Sequence, residues 1–423
     1  MDWLVLGVFA AVYLGMFLGG VPGLALDRSG VALLGAIVLL ASGRVSLDEA
    51  QAALDVPTLT LLLGLMVVSA QLRLGGFYTR TAQRLAEAAL EPALLLALVM
   101  AAAAALSAVL ANDVVCLAVT PVLALGCLRR GLSPLPFLLG LACASNIGSA
   151  ATLIGNPQNM LIGQVLRLSF SGYLLTALGP ALLSLAAAWG LLALLYRGRW
   201  RLDAGSAQPA AAEALRRAED WPEFDLWQTA KGLVIVVLLV AAFLLTDWPR
   251  DIAALAAAGV LLCSRRMATR NVLGLVDWHL LVLFGGLFVV NHAFEAAGWL
   301  PHLLAGLRGL GVDPVQPAPL YVVTAGLSNL VSNVPAVMLL LPAVRQAAAP
   351  GSPALAHSGA LLALSSTLAG NFLLVGSIAN LIVAEQAKLQ GVTLSWREHL
   401  RAGIPVTLAT LGLTWLWLAL LAH

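Results

Sequence analysis

One carboxylate stands alone in this chain. Asp113 is the only acidic or basic side chain in the stretches 106–121, 145–162, 327–342 and 366–383, which otherwise mix apolar residues with Asn, Ser, Thr and Gly. A charged carboxylate within a membrane span costs about 2.5–3.5 kcal/mol on insertion scales, so such residues are rare and mark ion or solute paths. A carboxyl there can trade a proton for a cation or for a solute. The same position also suits a neutral acid that caps a helix end.

The polar residues come in two matched sets. LSAVLANDVVCLAVTP at 106–121 returns as LSNLVSNVPAVMLLLP at 327–342, and the polar run from Ser145 returns from Ser366, both at an offset of 221. Asn112 matches Asn333, Pro121 matches Pro342, Gly155 matches Gly376 and Asn159 matches Asn380. Polar membrane segments repeated at one offset predict a two-fold machine whose site lies where the copies meet. Asn112-Asp113 and Ser332-Asn333 interrupt apolar runs, and Pro335 removes a backbone donor. The spacing predicts two hairpin tips, whose helix ends offer free N–H and carbonyl groups. Ser107, Asn112, Ser328, Asn329, Ser332 and Asn333 would supply side-chain oxygens there. Such residues also simply glue helices together, and one of them alone would carry no more than that.

The partner segments carry Asn146, Thr152, Gly155, Asn156, Pro157 and Asn159 in one copy, and Asn371, Gly376, Ser377 and Asn380 in the other. Two glycines, a proline and several amides predict a half-helix, an unwound stretch near 152–156, and a second half-helix from Pro157, a favourable first position. Unwound backbone at membrane depth is tolerated only where it is buried or lines a wet cavity.

The elements that must position these residues follow from composition. Of 423 residues, 61% are hydrophobic and 10% charged, with a mean hydropathy of +0.94. This is a polytopic helical membrane protein, since the apolar runs are too long for barrel strands. The 1–17 stretch lacks a basic region and a small-residue cleavage site, and reads as a first transmembrane helix. Cys116, Cys127, Cys143 and Cys263 show no metal or disulfide spacing and read as packing residues. A net charge of +2 without a basic tract gives no reason to expect nucleic acid. No HExxH, nucleophile elbow or phosphate loop is present, so an enzyme is not expected. His292 and Glu295 read as an interfacial pair.

The fold expected is all-α, with two inverted-topology repeats of about five transmembrane helices (one broken) plus a re-entrant hairpin. Repeat one is 1–196, a linker runs over 197–229 and reads as partly helical around 210–218, and repeat two is 230–423. The transport core would come from 92–166 and 319–386, and the scaffold from the remaining helices. Odd crossings invert the second repeat. With a cytoplasmic linker and both termini outside, only Arg44, Arg167, Arg250, Arg308 and Arg345 of the 23 Lys and Arg face outward, in the sense of the positive-inside rule.

ANDVVCLAVTP, SNIGSAATLIGNPQNMLIG and SNVPAVMLLLP resemble the ArsB/NhaD permease branch of the ion transporter superfamily. That group includes arsenite permeases, Na+/H+ antiporters, plant silicon efflux transporters and, more distantly, divalent anion/Na+ symporters. The resemblance implies a homodimer in the cell (inner) membrane, working by elevator-type alternating access without a cofactor. It also implies H+ or Na+ as coupling ion, with Na+ ligands at Ser107, Asn112 and Gly155 and at Ser328, Asn333 and Gly376. The dicarboxylate branch has Ser-Asn-Thr at both tips, whereas this chain has Ala111-Asn112-Asp113 and Ser332-Asn333-Val334. No Lys, Arg or His lies in the four segments, so a neutral hydroxylated acid such as arsenous or silicic acid is the expected solute. Asp113, with Asn112 and Ser107, would couple its export to the ion. A Na+-coupled anion permease and a Na+/H+ antiporter remain the alternatives.

Overall fold

Apolar runs closed by caps build the helices. The computed structural model describes residues 2–421 apart from Pro22 and 203–222. The helical stretch expected at 210–218 therefore lies outside the described residues. Those described form helices and two isolated bridges, with no strand.

The first half runs α1 (Trp3–Leu18), α2 (Arg28–Ala41), α3 (Leu47–Ala53), α4 (Val56–Leu74), α5 (Phe77–Glu87), α6 (Pro92–Val109), α7 (Asn112–Arg129), α8 (Pro134–Ala150), α9 (Pro157–Val165) and α10 (Phe170–Leu195). The second half runs α11 (Leu226–Leu245), α12 (Arg250–Leu262), α13 (Thr269–Leu273), α14 (Trp278–Ala296), α15 (Trp299–Gly309), α16 (Pro317–Val331), α17 (Asn333–Ala347), α18 (Pro353–Ala369), α19 (Ile378–Leu389) and α20 (Trp396–Leu421). The order is the same element for element. Seven of these helices, α4, α6, α7, α10, α11, α14 and α20, are long and apolar enough to cross a membrane.

Equivalent residues close equivalent helices. Asp55 caps α4 by accepting from the Thr58 amide at 2.9 Å, and Asp277 caps α14 by accepting from the Leu280 amide at 3.0 Å. Such caps contribute about 1 kcal/mol each. The two halves grip each other reciprocally. A Cβ on Gly64 of α4 would sit 2.7 Å from the Ala254 carbonyl carbon of α12, and one on Gly286 of α14 would sit 2.6 Å from that of Ala32 in α2. Only glycine lets these backbones approach so closely, the usual device of helix packing in lipid.

The interruptions fall where the sequence places them. Leu110, which is extended, and Ala111 separate α6 from α7. Ser332 alone separates α16 from α17, at φ 75°, a left-handed conformation that costs a residue with a Cβ about 1–3 kcal/mol. Residues 151–156 separate α8 from α9, and a short 3-10 turn (Leu374–Gly376) lies between α18 and α19. The surface stretch α5 buries Tyr78, Ala82, Leu85 and Ala86, and Ala86 meets Gly126 of α7.

Candidate functional site

At the first tip, Asn112 opens α7 beneath the unwound loop, and its amide donates to the Gly155 carbonyl at 3.2 Å. Ser107 Oγ lies 2.9 Å from Ser145 Oγ, and Ser145 donates to the Asn112 carbonyl at 3.2 Å. Thr152 donates to the Ala108 carbonyl, tying the loop to α6. Gly155 is wedged: a Cβ there would lie 2.5 Å from Ser149 Cα and 2.6 Å from the Ser107 carbonyl oxygen. Ser107, Asn112 and Gly155 are therefore in one place.

The second tip repeats this with looser packing. Asn333, with its amide turned to satisfy its neighbours, donates to the carbonyls of Gly376 at 3.2 Å and Ser366 at 2.9 Å. A Cβ on Gly376 would sit 3.1 Å from Asn329 Oδ1. Ser328 Oγ and Asn329 Oδ1 have no hydrogen-bond partner, and the same holds for Asn112 Oδ1 and Asn371 Nδ2. Ser332 is buried at the break itself.

Both unwound loops are clamped by the same device. Asn159 Nδ2 donates to the carbonyls of Thr152 at 2.9 Å and Ser149 at 3.4 Å. Its repeat-mate Asn380 donates to those of Leu373 at 3.2 Å and Gly370 at 2.8 Å. Across the repeats, Asn146 Nδ2 donates to Asn371 Oδ1 at 2.8 Å and Asn380 Oδ1 at 3.1 Å, and Asn146 Oδ1 accepts from Ser377 at 3.0 Å and Asn112 at 3.4 Å. Thr367, the repeat-mate of Asn146, answers from the other side. It lies 3.4 Å from Asn156 Nδ2, 3.1 Å from Gln158 Nε2 and 3.4 Å from Asn159 Oδ1. Asn112, Asn146, Asn156, Asn159, Asn333, Asn371, Ser377 and Asn380 thus join a buried set of amides, hydroxyls and carbonyls at the meeting of the two halves, while Ser328, Asn329 and Ser332 lie at the second tip without a side-chain bond to it.

Asp113 stands apart from this network. It is half-buried in the first turn of α7, and no described residue donates a hydrogen bond to it or pairs with it.

The citrate transporter family profile matches residues 12–362. The chain belongs to the citrate transporter family. It is a multi-pass membrane transporter and not an enzyme. The silicon efflux transporter LSI3 of Oryza sativa subsp. japonica is 31% identical over 451 residues, covering 92% of this chain and 91% of the relative. The inner membrane protein YbiR of Escherichia coli K12 is 32% identical over 360 residues, covering 84% and 86%. The Alcanivorax borkumensis YdaH transporter, 16% identical, shares the fold with a TM-score of 0.56 over 99% of this chain and 97% of that one.

In this citrate transporter family member a cavity of ≈ 240 Å³ opens beside the network. Leu161 of α9 and Met338 of α17 line its inner part, and Asp55, Asn291, His292, Glu295 and Arg345 its rim. It adjoins a wider cleft of ≈ 1110 Å³ that shares Asp55, Val165 and Arg345 and adds Arg167 and Arg250. Asn291 and His292 are half-buried, whereas their repeat-mates Ser69 and Ala70 are 0% and 2% exposed. His292 and Glu295 are not paired with each other: Glu295 accepts from Gln346 of α17 at 3.0 Å. Sequence reasoning passed over Ser145, Gln158 and Thr367. The offset of 221 that pairs Asn146 with Thr367 was the signal that could have found the last.

Proposed function

We propose that the protein is an ion-coupled exporter of a small, weakly acidic hydroxylated solute such as arsenous or silicic acid. The observation that carries this is the donor set of the buried network. It holds amides, hydroxyls and helix ends, with Asp113 beside it and no cationic side chain in its four segments. Neutral hydroxyl groups can both donate to and accept from such groups, while a multiply charged anion would find nothing of opposite sign. The silicon efflux relative, alike over nearly the whole chain, supports the same solute class.

The coupling ion is a proton or Na+. Asp113 trades the proton, and three orphaned oxygens, on Asn112, Ser328 and Asn329, are of the type a hard cation takes. The segments 92–166 and 319–386 form a core that moves against the other helices in a homodimer. Partial exposure of Asn291 and His292 with burial of Ser69 and Ala70 supports one of two alternating states. The Arg167, Arg250 and Arg345 face is the outer one, with both termini outside, in an inner membrane.

The test is transport by Asp113→Asn in proteoliposomes. Solute flux driven by a pH or Na+ gradient should collapse, while exchange without a gradient persists; full gradient-driven flux in this variant refutes the role of Asp113. A Na+-coupled anion permease is the second reading, favoured by the family's description and by the three arginines at the cleft. Uptake of labelled citrate with Na+-dependent thermal stabilisation would establish it instead.

A further inference from the structure

The core-side wall of the ≈ 240 Å³ cavity is made by α9 and α17, the two helices that begin at the first unwound loop and the second tip. Leu161 is four residues beyond Pro157, and Met338 five beyond Asn333. At 1.5 Å per residue the cavity therefore begins about 6–8 Å along these helices from the network. Its far wall is the end of α14 and the α3–α4 corner.

The rim chemistry is mixed. Asp55 and Glu295 accept, Arg345 donates, and His292 does either. Asn291 Nδ2 is buried without a partner, while its Oδ1 accepts from Tyr13 at 2.9 Å. The Tyr13 hydroxyl also lies 3.2 Å from the Pro335 carbonyl, two residues past Asn333, so the rim is tied to the second tip. Two carboxylates against one guanidinium disfavour an anion. No group of three or more His, Cys, Asp or Glu among the described residues could hold a metal ion. The volume lies below the roughly 300–1,000 Å³ of pockets for drug-sized ligands.

We infer that this cavity is a second solute site, a rim station that holds the small neutral hydroxylated acid between the network and the open face. It rests on the solute class of the preceding section and adds a place and a residue set. Glu295 and Asp55 accept the solute's hydroxyl protons, and Arg345 and Asn291 Nδ2 donate to its oxygens. Arg345 and Gln346 belong to α17 and Glu295 to α14, so the station is complete only while these helices stay together.

The experiment measures flux of arsenous acid, and separately of silicic acid, through proteoliposomes of known insertion, in both directions, for the parent protein, Glu295→Gln and Arg345→Gln. Both side chains lie at the rim, outside the packed interior. From the cavity face each variant should raise the half-saturation concentration about tenfold, the equivalent of one hydrogen bond to a charged group. The half-saturation from the opposite face should hold, and the ratio of the two maximal rates should shift to match, because a substitution cannot alter the overall equilibrium across the membrane. Unchanged half-saturation, or an equal change from both faces, overturns the rim station. A parent protein that moves neither acid refutes the solute class itself, and the station's ligand with it.

Discussion

Replacing Gly155 by alanine should stop transport, while the same change at its repeat-mate Gly376 should only slow it. At Gly155 the new methyl would lie 2.5 Å from both Ser149 Cα and the Ser149 carbonyl oxygen, and 2.6 Å from the Ser107 carbonyl oxygen. All three are main-chain atoms of helices packed on both sides, so relief requires the loop to move by most of an ångström. That movement breaks the 3.2 Å bond from the Asn112 amide to the Gly155 carbonyl. Overpacking costs about 1–3 kcal/mol and the lost bond about 1 kcal/mol more. At Gly376 the nearest atoms are Asn329 Oδ1 at 3.1 Å and the Gly370 carbonyl oxygen at 3.2 Å. The first is the end of a side chain that can rotate away, and the second, a main-chain oxygen, has to give by only a few tenths of an ångström, so the cost stays at the low end, about 1 kcal/mol. Solute flux in proteoliposomes, read beside thermal unfolding in detergent, separates the two. Gly155→Ala should lose flux and unfold at lower temperature, and Gly376→Ala should keep flux within a few-fold and unfold at nearly the parent temperature. Equal effects, or a silent Gly155→Ala, would refute the claim that the first tip is the tightly fitted one.

Asn146→Leu removes four side-chain hydrogen bonds between and within the halves. At about 0.6 kcal/mol for each bond in a membrane protein it should destabilise by about 2 kcal/mol, visible as earlier thermal unfolding with loss of flux. Gly64→Ala should destabilise by about 1–3 kcal/mol through its backbone clash with Ala254, with Gly286→Ala close behind; a neutral result at both would deny the close crossings. The Glu49 carboxylate is held below its ordinary range, first by the Ser46 amide and then by its hydroxyl, in the capping box of α3. A depressed carboxylate stabilises the native state above its unfolded pKa, and that contribution disappears as pH falls through the folded value. Hydrogen exchange of α3 should therefore quicken in acid, and Glu49→Gln should remove that dependence.

Most of what positions the site was legible because it is local. Asn112, Pro157, Gly376 and Pro335 announce breaks by their own backbone chemistry, and duplication at one offset announces the partner break. The cross-repeat bonds were not legible, because Thr367 meeting Gln158 depends on how α18 packs against α9. Asp55 and Asp277, 222 residues apart, stand at equivalent positions as a pair of helix caps. Arg167, Arg250 and Arg345 counted in the sequence only toward orientation, since nothing along the chain shows that the turn after α9, the start of α12 and the end of α17 bring them to one cleft. Tyr13 and Asn291, 278 residues apart, gave no sign of each other at all.

The reciprocal glycine crossings carry a last consequence. Gly64 receives Ala254, and Gly286 receives Ala32: each half presents one groove and one ridge, and each fills the other's. That is the geometry of an isologous interface, the self-complementary contact by which two identical subunits close a dimer. A polypeptide holding one half would leave both groove and ridge unfilled until it met a second copy. Severing the chain between the halves should therefore leave two fragments that recognise each other.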